Sequence, residues 1–139
     1  MAFVVDASLA LAWHFEDEGS EATDALLART IGEPVVVPSH WLGEVANAAL
    51  VGERRGRATI EQTARFRGRL AGIAVETDDA PRGHMFERIL PLARAHGLTV
   101  YDALYLELAE RRGLPLATLD RDLARAARQV GVTVLGDSE

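Results

Sequence analysis

Four carboxylates in this 139-residue chain lie at positions that folding alone does not favour: Asp6, Glu44, Asp102 and Asp120. Each of them either ends a short apolar strand or lies on the apolar face of a helix. Charged side chains are almost never fully buried without a partner. Four acids directed at the edge of one core therefore predict a cation between them, and Mg²⁺ or Mn²⁺ is the usual choice for all-oxygen ligands.

The position of each acid can also be explained by a structural role alone, without a catalytic or metal-binding one. Asp6 and Asp120 are residues of a type that caps helix N-termini well. Glu44 could lie at the edge of an apolar face with its carboxylate in water. Asp102 falls in the first turn of a helix, where the helix dipole favours an anion. The four signals are weak one by one, and they gain force only in combination.

The helical period specifies the neighbours of the two helical acids. It places Glu44 on a face with Trp41, Val45 and Ala48. It places Asp102 on a face with Tyr105, Leu106 and Ala109. The solvent-facing side of this second helix is expected to carry Glu107, Glu110 and Arg111. Both site candidates therefore lie on faces that are expected to turn inward.

Short apolar strands that alternate with helices must position these acids. Runs rich in β-branched residues predict five strands, at Ala2–Val5, Val35–Val37, Ile73–Glu76, Leu116–Thr118 and Val132–Leu135. This alternation predicts an α/β fold in one domain over residues 1–139, with a central, mostly parallel five-stranded sheet flanked by helices. Ligands of such open sheets bind outside the carboxyl ends of the strands, which is where Asp6 lies.

Capping signals bound the two helices in the middle of the chain. Ser39 is predicted to cap a helix that runs to about Arg55. Thr59 and Gln62 form a capping-box pattern at the start of the next helix.

Similar signals bound the helices in the second half of the chain. Thr99 is predicted to cap a helix over Tyr101–Arg112, and Asp120 to cap the last helix. The segment 82–96 is helical in pattern but contains Pro91, which predicts a kink or break.

The chain is acidic overall, but its basic residues are concentrated. The formal net charge of −6 argues mildly against a nucleic-acid partner. All 15 basic residues are arginine, and several fall between positions 54 and 69. Such a cluster could follow a phosphate backbone, and the candidates for these contacts are Arg54, Arg55, Arg65 and Arg69. The other explanation is a solvated helical hairpin.

Several absences narrow the class of protein. The chain has no cysteine, hence no disulfide framework or thiolate metal site. Its start lacks a basic segment, and its apolar run is too short for a signal peptide or membrane span, so a cytoplasmic protein without membrane contact is expected. It has no lysine, which argues against a phosphoacceptor receiver domain. The histidines show no metal-ligand spacing and are predicted to be surface or cap residues: His14, His40, His84 and His96.

Four segments, taken in order, resemble the PIN-domain nucleases, and most closely the VapC-type toxins of toxin–antitoxin pairs. They are Val4–Ser8, Pro38–Asn47, Leu98–Leu106 and Leu116–Leu123. The resemblance extends over the whole chain, and the ordered set is more specific than any one segment.

The resemblance implies a Mg²⁺- or Mn²⁺-dependent endoribonuclease. It assigns the metal-binding and catalytic positions to Asp6, Glu44, Asp102 and Asp120. Ser8 and Thr118 match hydroxyl positions that often support the site, and Asp122 is the alternative to Asp120 as the fourth acid. Whether one or two metal ions act is left open.

The resemblance also implies partners. These are an RNA substrate, a small VapB-type antitoxin that often places an arginine among the acids, and a second copy of the chain in a homodimer. The alternative from another functional class is a non-catalytic PIN-like module that binds RNA or protein without cutting it.

Overall fold

A computed structural model describes residues 1–136 and contains five strands in a single, entirely parallel sheet. The strands are β1 (Phe3–Val5), β2 (Val35–Pro38), β3 (Val75–Asp78), β4 (Leu116–Ala117) and β5 (Val134–Leu135). Their order across the sheet is β3-β2-β1-β4-β5. The predicted α/β fold with a five-stranded sheet is confirmed.

Seven α-helices flank the sheet within the described residues. They are α1 (Ala7–Ala12), α2 (Glu21–Arg29), α3 (Trp41–Arg54), α4 (Ile60–Ala71), α5 (Leu90–His96), α6 (Val100–Arg112) and α7 (Arg121–Gln129). A 3₁₀ turn at Glu16–Glu18 precedes α2, and a π-helical turn at Met85–Ile89 leads into α5. In residues 1–136, no helix combines the length and the apolar character needed to cross a membrane.

Most predicted capping contacts are present, and one is not. The Thr59–Gln62 capping box, the Thr99 cap and the Asp120 cap all form. Ser39 does not cap α3, because this helix begins at Trp41 and the cap position belongs to His40. The backbone of His40 is already helical and its side chain makes no capping bond, since it is engaged elsewhere.

Two predicted elements differ in detail. The third strand lies two residues later than predicted, at Val75–Asp78, because its pairing with Val35–Pro38 fixes the register. This strand is at the edge of the sheet and largely exposed, so its hydrophobic pattern was weak. Pro91 lies at the start of α5, where its missing N–H costs nothing, and the winding changes from π to α at this point.

The core lies on both faces of the sheet. The three residues of β1 and the first three of β2 are all buried, which is typical of parallel strands covered by helices on both sides. Helix α3 packs closely against the segment that follows α1. A Cβ atom at Gly52 would lie 2.6 Å from Cζ of Phe15, so only glycine permits this approach.

The side of α6 that was expected to face solvent is partly buried. Glu107 is only 2% exposed, because Arg111, one turn later, covers it with Nε 2.7 Å from Oε1. Arg111 also places Nη2 2.6 Å from Oδ1 of Asp78 at the end of β3. The solvent-facing assignment of Glu107 was therefore wrong, since an arginine partner makes the burial of a carboxylate tolerable.

Candidate active site

Asp6 lies at the point where the strand order of the sheet reverses. The chain proceeds from β1 to β2 and β3 on one side, and then returns to add β4 and β5 on the other. The gap between the carboxyl ends of β1 and β4 is therefore the switch point at which open α/β sheets bind ligands. Because Val5 pairs with Ala117, the next residues, Asp6 and Thr118, face each other across this gap.

Three donors fix the Asp6 carboxylate. Its Oδ1 accepts hydrogen bonds from the Leu9 amide at 2.9 Å and the Ser8 hydroxyl at 2.7 Å, and its Oδ2 accepts one from the Thr118 hydroxyl at 2.5 Å. Asp6 therefore caps the N-terminus of α1, which was the alternative to a chemical role. It is also part of a buried polar network. The roles of Ser8 and Thr118 as supports of this carboxylate agree with their predicted positions.

The pKa of Asp6 is nevertheless raised, from 3.8 to about 6. Burial is the main cause, and the charge of Asp102 adds to it, whereas the bonds from Thr118, Leu9 and Ser8 oppose it. None of the arginine or histidine side chains in residues 1–136 forms an ion pair with Asp6. The donors orient this carboxylate but do not compensate its charge.

Glu44 extends from α3 toward the same site and is held by two side chains. The Tyr105 hydroxyl donates to its Oε1 at 2.7 Å, and Nε2 of His40 lies 2.8 Å from the same oxygen. Burial raises the pKa of Glu44, but these two contacts outweigh it and the net pKa is lowered. Both contacts engage Oε1, which leaves Oε2 available for other interactions.

Asp102 and Asp120 complete the group. Asp102 lies in the first turn of α6, where its amide donates to the Thr99 hydroxyl at 3.1 Å. Its pKa is raised, first by burial and then by the charges of Asp120 and Glu44. The structure thus brings all four predicted acids into one electrostatically coupled group, which is called the acid cluster below.

Asp122 lies apart from the acid cluster. Its carboxylate is exposed and pairs with Arg125, one turn later on α7, at 2.9 Å. The backbone amide of Asp120, in contrast, donates to the Thr118 hydroxyl at 3.0 Å and so joins the network around Asp6. Of the two candidates for the fourth acid, the geometry favours Asp120.

The sequence interpretation missed two residues of this site, His40 and Tyr105. His40 was predicted to be a surface or cap residue. It does occupy the cap position of α3, but its side chain contacts Glu44 and packs against Tyr101 and Tyr105. The available signal was spacing, because positions 40 and 44 are one helical turn apart. Tyr105 was identified as a neighbour of Asp102, but its bond to Glu44 crosses between two helices and has no local signature.

A family model for the PIN domain matches residues 3–129. The chain belongs to the PIN-domain family. Ribonuclease VapC3 of Pyrobaculum aerophilum is 34% identical over 128 residues, which cover 89% of this chain and 93% of that protein. The predicted resemblance to VapC-type proteins is confirmed.

Solved structures show the same PIN fold. PAE2754 from Pyrobaculum aerophilum aligns with a TM-score of 0.68 and 29% identity, covering 96% of this chain and 92% of that one. VapBC2 from Rickettsia felis, in a structure bound to a DNA fragment from the promoter, aligns with a TM-score of 0.65 and 11% identity, covering 96% and 97% of the respective chains. The second likeness concerns the fold alone.

The arginine cluster of this PIN domain lies away from the acids. Arg54 and Arg55 are at the far end of α3, about 15 Å along the helix axis from Glu44 at 1.5 Å per residue. On α4, Arg69 donates to the carbonyl of Trp13, past the C-terminal end of α1, and Arg65 lines the same surface depression. The four predicted arginines are all exposed, and none is within contact of the acids.

The donor set of the PIN domain suits a hard divalent cation. It consists of carboxylate oxygens, which Mg²⁺ and Mn²⁺ prefer. Within residues 1–136, no three His, Asp or Glu side chains already converge tightly enough to enclose an ion. Asp6 is buried and held by its hydrogen bonds, whereas Glu44 and Asp102 are only partly buried.

Proposed function

We propose that this PIN domain is a Mg²⁺- or Mn²⁺-dependent endoribonuclease that acts as the toxin of a VapBC-type toxin–antitoxin pair. The observation that carries the proposal is the acid cluster at the switch point of the sheet, which contains a buried aspartate without a cationic partner. Its supports are membership in the PIN-domain family and the ribonuclease activity named for a relative at 34% identity.

Repulsion between its carboxylates explains why the acid cluster would need a cation. Two like charges about 4 Å apart repel by roughly 4 kcal/mol at an effective dielectric constant near 20. Burial and the neighbouring acids already raise the pKa values of Asp6 and Asp102. Proton uptake relieves this repulsion in the metal-free protein, and a divalent ion would relieve it while all the acids stay charged.

Each acid has a distinct role in the proposed mechanism. Asp6 and Asp102 would be the principal ligands, with Asp120 contributing to a second ion or acting through water. The chemistry that Mg²⁺ or Mn²⁺ would supply there is polarisation of the scissile phosphate and a lower pKa of water, which would favour attack by hydroxide. Glu44, anchored through Oε1, would use Oε2 either as a metal ligand or to orient the attacking water and accept its proton.

The hydroxyl groups of Ser8 and Thr118 would serve this mechanism by orienting the Asp6 carboxylate. Thr118 donates to Asp6 and accepts from the Asp120 amide, while Ser8 donates to Asp6 and accepts from the Leu119 amide. These bonds tie the ends of β1 and β4 together. They hold the buried carboxylate in one orientation, which limits the reorganisation required when a cation binds.

The test is cleavage of total cellular RNA by the purified chain in Mg²⁺ or Mn²⁺, compared with EDTA. We expect discrete fragments that require both the metal and an intact Asp6, so that Asp6→Ala produces none. Asp122→Asn is the matched control, because this exposed acid pairs with Arg125 outside the cluster and its loss should leave the fragments unchanged.

The alternative function gives a different result in the same experiment. A non-catalytic module would bind RNA in EDTA and yield no product in either metal. If well-folded protein with bound Mn²⁺ cut none of several RNA pools, the nuclease proposal would be wrong and the binding module would replace it.

The proposed antitoxin has a surface suited to it between α3 and α4. These helices and the start of β3 enclose an apolar groove of about 620 Å³, whose exposed rim includes Leu42, Leu50 and Val75. Such an exposed apolar surface is typical of a binding site for an amphipathic helix. An arginine from the same partner could neutralise the acid cluster, which would explain inhibition by charge alone.

Co-expression with the cognate antitoxin tests this surface. Leu42→Arg should abolish co-purification of the antitoxin and leave metal-dependent RNA cleavage intact, since Leu42 is 61% exposed. Ile60→Arg is the control, because this residue is 72% exposed on α4 but does not line the groove. If both variants retained the antitoxin equally well, the groove would be excluded as the antitoxin-binding site.

The homodimer stays a prediction, and gel filtration of the free chain can test it.

A further inference from the structure

A second pocket adjoins the acid cluster and has no role in the mechanism above. It measures about 260 Å³ and lies between the carboxyl ends of β2 and β3 and one side of α6, from Tyr101 to Arg111. His40 lines it on the side of Glu44, and Tyr101 lines it immediately before Asp102 in the chain. Its other walls include Met85, Leu104 and Asp79. A ligand here would be next to any phosphate held by the acids.

Tyr101 gives this pocket an aromatic wall that the fold does not require. Its side chain is 62% exposed, whereas Tyr105, one turn later on the same helix, is 1% exposed. The Tyr101 ring lies 5.6 Å from the ring of His40, with the planes tilted by 46°. Exposed aromatic rings beside a phosphate site are the usual platform for stacking an unpaired base.

We propose that this pocket binds one unpaired nucleobase of the RNA, stacked on Tyr101, while the adjoining phosphate occupies the acid cluster. The inference rests on the proposed function and adds a base-recognition site to it. A pocket of this size suits a single planar ring system, being smaller than the ~300–1,000 Å³ clefts that hold larger ligands. It is too small for a helix of a protein partner.

The charged groups of the pocket predict which base it prefers. Arg111 pairs with both Asp78 and Glu107, and Arg112 also pairs with Asp78, so the two acids are matched by two arginines. Asp79 makes no ion pair within the part of the chain that the structure describes, and its carboxylate offers only acceptors. Guanine presents two adjacent N–H donors that match one carboxylate. We therefore expect guanine to be favoured, and a phosphate to be repelled.

Binding of short RNAs tests the site independently of cleavage. The probes are fluorescein-labelled hexauridine and three variants with guanosine, adenosine or cytidine at the third position, and fluorescence anisotropy is recorded in Ca²⁺, which also takes carboxylate ligands. Wild-type protein should bind the guanosine probe about tenfold more tightly than hexauridine. Equal affinities for the four probes, or preference for another base, would overturn the proposal.

Three variants separate stacking from edge recognition. Tyr101→Ala should weaken binding of the guanosine probe about tenfold. Asp79→Ala should reduce the guanosine preference to parity while Tyr101 still supports stacking. Phe86→Ala is the control, because this ring is 78% exposed nearby but does not line the pocket, and its loss should change affinity by less than about twofold. Retention of wild-type binding by Tyr101→Ala would refute the site.

Failure of the site and failure of the proposed nuclease give different results. If the probes bind as expected but no RNA is cut in Mg²⁺ or Mn²⁺, the base site stands and the nuclease does not. If RNA is cut in a metal-dependent way, with no preferred base at a fixed distance from the cut and no effect of Tyr101→Ala, the nuclease stands and the base site does not.

Discussion

The acid cluster and the Asp78–Glu107 pair are two groups of carboxylates that differ in their counter-charges. Arg111 lies between Asp78 and Glu107 at 2.6 and 2.7 Å, and it lowers the pKa of Asp78. Asp6 is as deeply buried as Glu107, but it receives only neutral donors and its pKa is raised. Asp6 and Glu107 are thus similarly buried, but only Glu107 has an arginine partner.

This difference separates a structural charge from a functional one. Arg111 contacts both acids of the Asp78–Glu107 pair and Arg112 contacts Asp78 as well, so this group already has its own counter-charges and needs no further cation. The acid cluster has neutral donors that orient its oxygens but has no cation in the described residues that compensates Asp6, and such uncompensated, perturbed acids are typical of functional sites. The contrast can be tested by changing one acid in each group.

The largest expected effect is on catalysis. Asp102→Asn should reduce metal-dependent RNA cleavage by about a thousandfold, because it removes one charge of the proposed ligand set. The same change should leave the metal-free fold equally or more stable, since repulsion from Asp120 and Glu44 falls. Initial cleavage rates and thermal unfolding in EDTA measure the two effects, and clear destabilisation of the metal-free variant would contradict a shared anionic site.

The paired group should respond in the opposite way. Glu107→Ala removes a buried partner of Arg111, and we expect a loss of about 2–3 kcal/mol in the free energy of unfolding. Asp78 still pairs with Arg111, which keeps the cost moderate. Urea denaturation in EDTA measures it, with Glu110→Ala as the exposed control on the same helix. Equal stabilities of the two variants would show that the Glu107 pair contributes nothing.

The pH dependence of stability should also have opposite signs in the two groups. Because the folded state raises the pKa of Asp6 from 3.8 to about 6, this carboxylate favours folding most below pH 4 and loses that contribution as the pH rises to 6. Asp6→Asn should therefore gain about 3 kcal/mol over the wild type at pH 7.5 in EDTA, and the gain should nearly vanish at pH 4.

Asp78 provides the comparison for this measurement. Its lowered pKa contributes stability above pH 4 that disappears as the pH falls through its folded value. Asp78→Asn should therefore destabilise the metal-free protein at pH 7.5, with an effect that shrinks in acid. Unfolding curves for both variants at several pH values test the signs, and a stabilising Asp78→Asn or a destabilising Asp6→Asn at pH 7.5 would contradict the comparison.

The smallest of these effects concerns the orientation of Glu44. Tyr105→Phe removes the hydroxyl that donates to Oε1, while His40 keeps its contact with the same oxygen. We expect kcat to fall about tenfold with KM for RNA nearly unchanged, because a supporting contact is lost and the binding surface is not. An equal loss in kcat and in unfolding free energy would indicate a purely structural role for this hydroxyl.

Much of this architecture follows from local sequence patterns. The buried runs of β1 and β2, the Thr59–Gln62 capping box and the caps at Thr99 and Asp120 are formed by residues close together in the chain, so their signals are local. The edge strand β3 was misplaced by two residues, since most of its side chains are exposed and only its pairing with β2 fixes the register.

The amino-acid sequence by itself singled out the candidate acids, because an acid on an inward face or at a strand end is costly wherever the rest of the chain goes, but it left Asp122 as an alternative to Asp120. Only the tertiary structure decided which of them are compensated. Arg111 reaches Asp78 from another element, Tyr105 reaches Glu44 across two helices, and Thr118 reaches Asp6 across the switch point. Contacts between distant segments have no periodic signature, so folding alone revealed these three. The Glu107–Arg111 pair differs, because its partners lie one turn apart on the same helix and their spacing already indicated it.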